Sequence, residues 1–233
     1  MPDDANQKHM AFFKLMDAVN SGQCPVCYQL HVRLQHYFET LLYENVNNRE
    51  FRAELRAAGG FCSTHAHQLA QYKDGLALAV MHLELIQAAR RGVSAPPARS
   101  PLAASAQTAR RGRRKTAASD GQCPACRVAQ QQTESTLQRI RRYADDPQFL
   151  AAYTDSAGLC VPHYRLLQQA DAPLPDQLVD HQQRILETLV EQTSRFIDAE
   201  NASFEHRPTL SQHERTVWKQ IIDRYYGKSG ALP

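Results

Sequence analysis

Six cysteines and two histidines of this chain fall into four short motifs whose spacing is typical of metal ligands. Two motifs are Cys-Pro-x-Cys, at 24–27 and 123–126, and two are Gly-x-Cys-x-x-His, at 60–65 and 158–163. Thiolate sulfur and imidazole nitrogen are the ligands of zinc and of iron–sulfur clusters, and a Cys-x-x-Cys turn directs two sulfurs at one ion. All six cysteines belong to these motifs, so the chain has the donors for two Cys3His sites.

The motifs occur in the same order in both halves of the sequence, which indicates an internal duplication. In the first half 34 residues lie between Cys27 and Cys62, and in the second half 33 lie between Cys126 and Cys160. Because these separations agree, we predict that each half forms its own site. The predicted ligands are Cys24, Cys27, Cys62 and His65 in the first half and Cys123, Cys126, Cys160 and His163 in the second.

Each predicted site requires the chain to return to its start across a long gap. A helix from Cys27 to Glu44 climbs about 27 Å. A return helix from Asn48 to Ala58, with three extended residues after it, recovers about 26 Å. The chain can therefore close on itself within one half.

The segments between the motifs predict helices that begin at the ligands. Pro25 and Pro124 occupy the position that proline favours at the start of a helix, and Asn48 and Asp146 are typical N-cap residues at matching places. Both ligand pairs of a site would then lie near helix N-termini, whose partial positive charge favours thiolate over thiol. The glycine before each second pair permits the turn into the site.

Apolar residues after His65 recur at helical spacing and predict a long helix with one apolar face, in which Gly75 marks the place where the matching helix of the second half breaks. That face comprises Leu69, Tyr72, Leu76, Leu83 and Ile86. The matching helix of the second half is interrupted at Pro173–Pro175, and a capping box at Ser211–Glu214 predicts a last helix that ends near Gly227. We therefore predict an all-α protein of two pseudo-symmetric helical repeats, each with a Cys3His site that joins helix N-termini.

A basic segment separates the two repeats, which we place at 1–92 and 120–233. The linker at 93–119 is rich in Pro, Ala, Ser and Arg and shows no apolar period. It contains Arg110, Arg111, Arg113, Arg114 and Lys115, which could contact the phosphates of nucleic acid weakly and without sequence preference. No aromatic residue lies among them to stack on bases, and a solvated linker is the simpler interpretation.

Composition is typical of a soluble globular protein. The chain is 42% hydrophobic and 22% charged, and no apolar run approaches the roughly 20 residues of a membrane span. Its N-terminal residues lack the apolar core of a secretory signal, so we expect a cytoplasmic protein without membrane contact. In the cytoplasm, cysteines in such patterns are more often metal ligands or redox centres than structural disulfides.

The motifs resemble those of an uncharacterised prokaryotic family, a domain of unknown function with Cys-Pro-x-Cys, a later Gly-Phe-Cys-x-x-His and often a Leu-Leu-Tyr-Glu-like segment. The matching residues here are Cys24, Cys27, Cys62, His65 and 41–44. The resemblance covers most of 20–90 and, more loosely, 120–200. The second half departs from it, with Leu159 in place of Phe and no Tyr-Glu at the matching place. The resemblance implies the ligand signature and no particular reaction.

Three interpretations of the ligands are open from sequence. Two Zn²⁺ ions are favoured, because four protein ligands fill a tetrahedral site and leave no position for a substrate. Iron–sulfur clusters would instead indicate electron transfer or redox sensing. Thiol–disulfide exchange fits less well, because those enzymes place the motif in a strand–helix–strand context that this helical sequence lacks. We expect a metal-binding scaffold, adaptor or sensor with a protein partner, rather than an enzyme.

Overall fold

The computed structural model describes residues 3–94, 122–169, 173–203 and 208–228, and over these ranges the chain is helical and contains no strand. The helices are α1 (Asp3–Val19), α2 (Pro25–Thr40), α3 (Arg49–Ala57), α4 (Ser63–Ala70), α5 (Gly75–Ser94), α6 (Pro124–Arg142), α7 (Pro147–Thr154), α8 (Val161–Gln168), α9 (Asp176–Asn201), α10 (Gln212–Arg215) and α11 (Val217–Tyr225). The prediction of an all-α protein is confirmed. Within the same ranges, no helix is both long and apolar enough to cross a bilayer.

The predicted helix starts are confirmed. Pro25 and Pro124 are the first residues of α2 and α6. The side chain of Asn48 accepts hydrogen bonds from two backbone N–H groups of α3, and Asp146 does the same for α7. These caps satisfy amides that a helix start otherwise leaves without partners.

The chain divides into two compact units that do not coincide with the two halves of the sequence. Unit 1 comprises 1–34 and 129–233, and unit 2 comprises 35–128. The predicted repeat boundaries at 92 and 119 therefore do not bound the units. Helices α2 and α6 each contribute residues to both units, so the start of each half is grouped with the later part of the other half.

The core of unit 1 combines an apolar cluster with a buried polar contact. Leu15 of α1, Phe149 and Tyr153 of α7, and Leu178 of α9 are all fully buried. Beside them, buried Gln29 of α2 donates to the backbone oxygen of Lys14 at 2.9 Å and accepts a hydrogen bond from the Thr136 hydroxyl of α6 at 3.0 Å. These hydrogen bonds fix α1, α2 and α6 relative to one another, since burying such groups without partners is costly.

Unit 2 is organised around an aromatic cluster at the end of α2. The ring of Phe38 lies 6.4 Å from Phe61, 6.3 Å from His65 and 6.0 Å from Tyr72. The cluster joins the last turns of α2 to the segment that carries α4.

Ion pairs connect the remaining helices of unit 2. Glu84 of α5 pairs with Arg52 and Arg56 of α3. Glu54 of α3 pairs with Arg127 in the first turn of α6. Helix α3 is thus linked both to α5 and to a helix start that carries two predicted ligands.

The prediction of one long helix after His65 is wrong in two respects. The helix is interrupted, and part of its predicted buried face is exposed. Helix α4 ends at Ala70 and α5 begins at Gly75, and Lys73 between them has a positive φ of 59°. This left-handed residue breaks the helical phase, so Leu69 is fully buried whereas three later members of the predicted face are exposed. Leu76, Leu83 and Ile86 are 77%, 55% and 65% exposed.

Two further segments differ in detail from the prediction. The capping box is present, with Ser211 and Glu214 bonded reciprocally, but the last helix is divided into α10 and α11 at Thr216. The Leu-Leu-Tyr-Glu segment forms a π-helical turn at Leu41–Asn45 that continues α2, in which Leu41 is buried and Tyr43 exposed. The basic residues Arg110, Arg111, Arg113, Arg114 and Lys115 lie outside the described residues.

Candidate metal centres

The eight predicted ligands form two clusters, but with exchanged partners. We name Cys24, Cys27, Cys160 and His163 site 1, and Cys62, His65, Cys123 and Cys126 site 2. The ligand atoms of each cluster all lie within 4.8 Å of one another. Two Cys3His clusters are therefore present, and the predicted pairing within each half is wrong. Site 1 lies wholly in unit 1 and site 2 wholly in unit 2.

The Phe38 cluster explains why the first half does not close on itself. The His65 ring packs 6.3 Å from Phe38, which lies eleven residues beyond Cys27 on the same helix. At 1.5 Å per residue, those residues correspond to about 16 Å of helix. The Cys-x-x-His turn of the first half therefore packs beside the last turns of α2, in unit 2, whereas Cys24 and Cys27 belong to unit 1.

The second half shows a similar displacement. The Arg141 guanidinium, near the end of α6, donates to the backbone oxygen of Leu167, one turn after His163 in α8. Arg141 lies fifteen residues beyond Cys126, or about 22 Å along α6. Each Cys-x-x-His turn thus meets the Cys-Pro-x-Cys turn of the other half.

Every ligand lies at the N-terminus of a helix, as predicted. The carbonyls of Cys24 and Cys123 accept the first hydrogen bonds of α2 and α6, from Tyr28 and Arg127. Cys62 and Cys160 are the N-cap residues of α4 and α8, with extended backbone, and neither side chain caps its own helix. Their sulfurs are therefore available to the site. Each site joins two helix N-termini, whose partial positive charge stabilises thiolate.

The glycines before the second ligand pairs adopt the backbone that they were predicted to provide. Gly60 has a φ of 104° and Gly158 a φ of 62°, a region that residues with a Cβ rarely adopt. At Gly158, an added Cβ would lie 2.5 Å from the Cδ1 of Ile185. This turn is therefore restricted to glycine by its conformation and by the space around it.

The spacing of the donor atoms fits one ion in each site. In site 1, the Nδ1 of His163 lies 3.1–3.6 Å from the three sulfurs, and the sulfurs of Cys27 and Cys160 are 3.8 Å apart. In site 2, Nδ1 of His65 lies 3.1–3.6 Å from its sulfurs, and Cys62 and Cys126 are 3.7 Å apart. A tetrahedral ion with bonds of about 2.3 Å to sulfur and 2.0 Å to nitrogen would separate its ligands by about 3.8 and 3.5 Å.

The electrostatics of the two clusters also favour a bound cation. Burial raises the pKa of the Cys24 thiol, but hydrogen bonds with Cys160, Cys27 and His163 outweigh it and hold that pKa well below its ordinary value. The pKa of Cys160 is raised, first by its hydrogen bonds with Cys24 and Cys27. Like charges this close cannot all form without a compensating ion. A bound cation would allow all three sulfurs to be thiolates.

In site 2, too, the surroundings of the cysteines disfavour the thiolate form. Burial, followed by hydrogen bonding with Cys62 and the charge of Cys123, raises the pKa of Cys126 to about 12. Burial lowers the pKa of His65, which keeps its imidazole neutral at neutral pH. A neutral imidazole can ligate a metal, whereas an imidazolium cannot.

Gln182 of α9 positions the second ligand pair of site 1, a role that no motif in the sequence indicates. Its side chain accepts a hydrogen bond from the Leu159 N–H at 3.1 Å and donates to the Leu159 carbonyl at 3.0 Å. Gln182 is only 2% exposed, so both hydrogen bonds are shielded from water. Because Leu159 directly precedes Cys160, this contact fixes the backbone that presents the sulfur.

The fold and the two clusters define an all-helical protein with two candidate Cys3His metal sites. The chain belongs to a family of unknown function, DUF6062, which it matches over residues 7–207. This agrees with the resemblance carried by the motifs.

Comparison with individual proteins adds one partial relative. A protein of Caldicellulosiruptor sp. (strain Rt8B.4), described as an uncharacterized 23.9 kDa protein in the xynA 3' region, is 30% identical to this chain over 73 residues. The aligned part covers 31% of this chain and 36% of that protein, so it spans only about a third of either. No solved structure matches the chain.

Proposed function

We propose that each cluster binds one Zn²⁺ ion and that the two ions hold together a helical scaffold that acts as an adaptor or sensor. The observation that carries this proposal is the donor geometry. Three sulfurs and one Nδ1 in each cluster lie within 4.8 Å of one another, which matches the ligand spacing of one tetrahedral zinc.

The arrangement favours a structural role over catalysis. Catalytic zinc keeps one position open for water or substrate, whereas four protein ligands fill a tetrahedral shell. The sulfur of Cys24 and the Nδ1 of His163, which would share one ion, come from residues 139 positions apart. An ion that bridges such distant segments closes a long loop, and because its site exists only in the folded chain, its binding energy contributes to folding.

An iron–sulfur protein for electron transfer or redox sensing is the alternative. In a cluster, the protein ligands are distributed over different iron atoms, which separates them more widely than the ligands of one ion. The short spacing in both sites therefore supports a single ion. A lone iron ion with the same ligands would share the geometry and is distinguished by its colour.

Metal analysis of the anaerobically purified protein tests the proposal. We expect a colourless protein with two zinc ions per chain by elemental analysis. Removal of zinc with a chelator should lower the thermal unfolding temperature, followed by circular dichroism, and added zinc should restore it. Brown protein that absorbs near about 400 nm would establish the iron–sulfur alternative instead. A well-folded chain with no bound metal would contradict both.

A scaffold or adaptor requires a protein partner, and the surface of α5 supports one. Leu76, Leu83 and Ile86 form an exposed apolar stripe at helical spacing. Such a stripe suits the apolar face of a partner helix. Substitution of Leu83 by Glu should weaken association with that partner and leave helix content and metal content unchanged, since the side chain is exposed.

Two further expectations are proposals of the same kind. A cytoplasmic location would keep the ligand thiols reduced, and it can be tested by cell fractionation. Weak nucleic-acid contact through the basic linker would show as binding to DNA of any sequence that is lost as salt concentration rises.

A further inference from the structure

The two sites differ in their access to solvent. In site 1 the three cysteines are 6%, 2% and 0% exposed, and His163 is fully buried. In site 2, Cys123 and His65 are buried, but Cys62 and Cys126 are partly exposed. Equivalent donor sets thus lie in unequal surroundings.

The C-terminal segment contributes to the closure of site 1. The backbone of Lys228, just after α11, lies close to the Cys27 sulfur. Helix α11 also packs against α8, which carries His163. Site 1 is therefore covered in part by the segment around α11, near the end of the described residues.

The partly exposed ligands of site 2 are also close neighbours. The sulfurs of Cys62 and Cys126 lie 3.7 Å apart. A disulfide bond is about 2.05 Å long, so the two sulfurs need to approach by only about 1.7 Å. The residues belong to different helices, α4 and α6, at the N-terminal turn of each.

We propose that Cys62 and Cys126 form an oxidation-sensitive pair, which makes site 2 a releasable metal site while site 1 retains its ion. This inference rests on the proposed function, because it takes both sites to hold zinc in the reduced protein. It follows from the exposure and proximity of this one pair. Access is what makes one thiolate more susceptible to oxidation than another with the same ligand set.

The reaction uses a peroxide as oxidant and balances as follows. One thiolate attacks the O–O bond of hydrogen peroxide, gaining an S–O bond and releasing hydroxide to leave a sulfenic acid. The second thiolate attacks that sulfur, forming the S–S bond and releasing a second hydroxide. The two sulfurs lose two electrons in total, and the peroxide gains them.

Oxidation replaces the zinc-mediated link between the starts of α4 and α6 with a disulfide bond. A Cys62–Cys126 disulfide leaves only His65 and Cys123 as donors, which is too few to retain a zinc ion. The disulfide still joins the N-termini of α4 and α6, so unit 2 keeps a covalent connection where it had a coordinate one. A thiol reductant reverses the change and regenerates the ligands.

The test uses the zinc-loaded wild-type protein and requires no ligand variant. Hydrogen peroxide is added in increments, released zinc is followed with a chromophoric chelator, and disulfides are mapped by mass spectrometry after free thiols are alkylated. We expect loss of one of the two zinc ions in step with a Cys62–Cys126 disulfide. Cys24, Cys27 and Cys160 should remain reduced at that stage. Dithiothreitol and added zinc should restore the second ion.

Several results would overturn the inference. Loss of both ions at the same rate would do so, as would a first disulfide that includes any cysteine of site 1 or that joins Cys123 to Cys126. In these cases two bound zinc ions would still support the proposed function. Conversely, a protein purified without zinc would refute the proposed function directly, before any oxidant is added.

Discussion

The sulfur of Cys27 lies 3.8 Å from that of Cys160, a residue 133 positions further along the chain. This contact joins the first ligand pair of one half to the second ligand pair of the other. With the matching contact between Cys62 and Cys126 in site 2, it makes each unit depend on both halves of the sequence.

The exchanged pairing predicts which segments lose protection when one site is disrupted. Substitution of Cys160 by Ser should reduce the metal content from two ions to one. Amide hydrogen exchange should then accelerate at the starts of α2 and α8, because both depend on site 1. The starts of α4 and α6 should keep their protection.

The matched control for this experiment is Cys62→Ser, which should affect α4 and α6 and spare α2 and α8. If the halves closed on themselves, Cys160→Ser would instead deprotect the start of α6. Hydrogen exchange monitored by mass spectrometry distinguishes the two patterns segment by segment.

Substitution of Gln182 by Met should destabilise the protein. Met fills a similar volume but leaves the N–H and carbonyl of buried Leu159 without partners. At about 1–3 kcal/mol for each of these two groups, we expect a loss of about 2–6 kcal/mol in the free energy of unfolding. Urea denaturation measures this loss. The neighbouring exposed Gln183, changed to Met, should alter stability by less than about 0.5 kcal/mol.

Substitution of Gly158 by Ala should destabilise the protein. Gly158→Ala places a Cβ 2.5 Å from Ile185 at a residue with a positive φ, which combines a clash with backbone strain of about 1–2 kcal/mol. We expect a lower thermal unfolding temperature and weaker zinc binding at site 1. Gly75→Ala is the control, because its Cβ would meet nothing within 4 Å and its φ is not positive. Comparable destabilisation by both changes would contradict the steric argument.

The ion pairs of Glu84 predict a pH dependence of stability. Hydrogen bonding from Arg56 lowers the pKa of the Glu84 carboxyl, and the charge of Arg52 adds to this effect. A carboxyl whose pKa is lower in the folded chain contributes stability that is present above its unfolded pKa and is lost as pH falls through the folded value. The stability difference between wild type and Glu84→Gln should therefore shrink as pH is lowered from 6 towards about 3.

Chemical denaturation at several pH values measures this difference. Acid also protonates the ligands of site 2. This affects wild type and variant equally, so its contribution largely cancels in the stability difference. A difference between wild type and variant that stays constant down to the lowest pH would show that Glu84 gains nothing from its two arginines in the folded chain.

Much of the architecture followed from local sequence. The helix starts at Pro25 and Pro124, the N-caps at Asn48 and Asp146, and the positive φ of Gly60 and Gly158 are all set by residues within one turn of the feature. The buried face of α5 was predicted wrongly, because no local residue pattern indicates the turn that sets it. The buried face of that helix depends on the left-handed turn at Lys73, a residue type that gives no such signal.

The sequence by itself determined which eight side chains are donors, because Cys-Pro-x-Cys and Cys-x-x-His fix two ligands each on the first turn of a helix. It could not determine how the pairs combine, since the two copies are chemically equivalent and the spacing permits either partner. Packing decided that question. The Phe38 cluster holds His65 at the far end of α2, and Arg141 ties α8 to the end of α6, so each second pair meets the first pair of the other half.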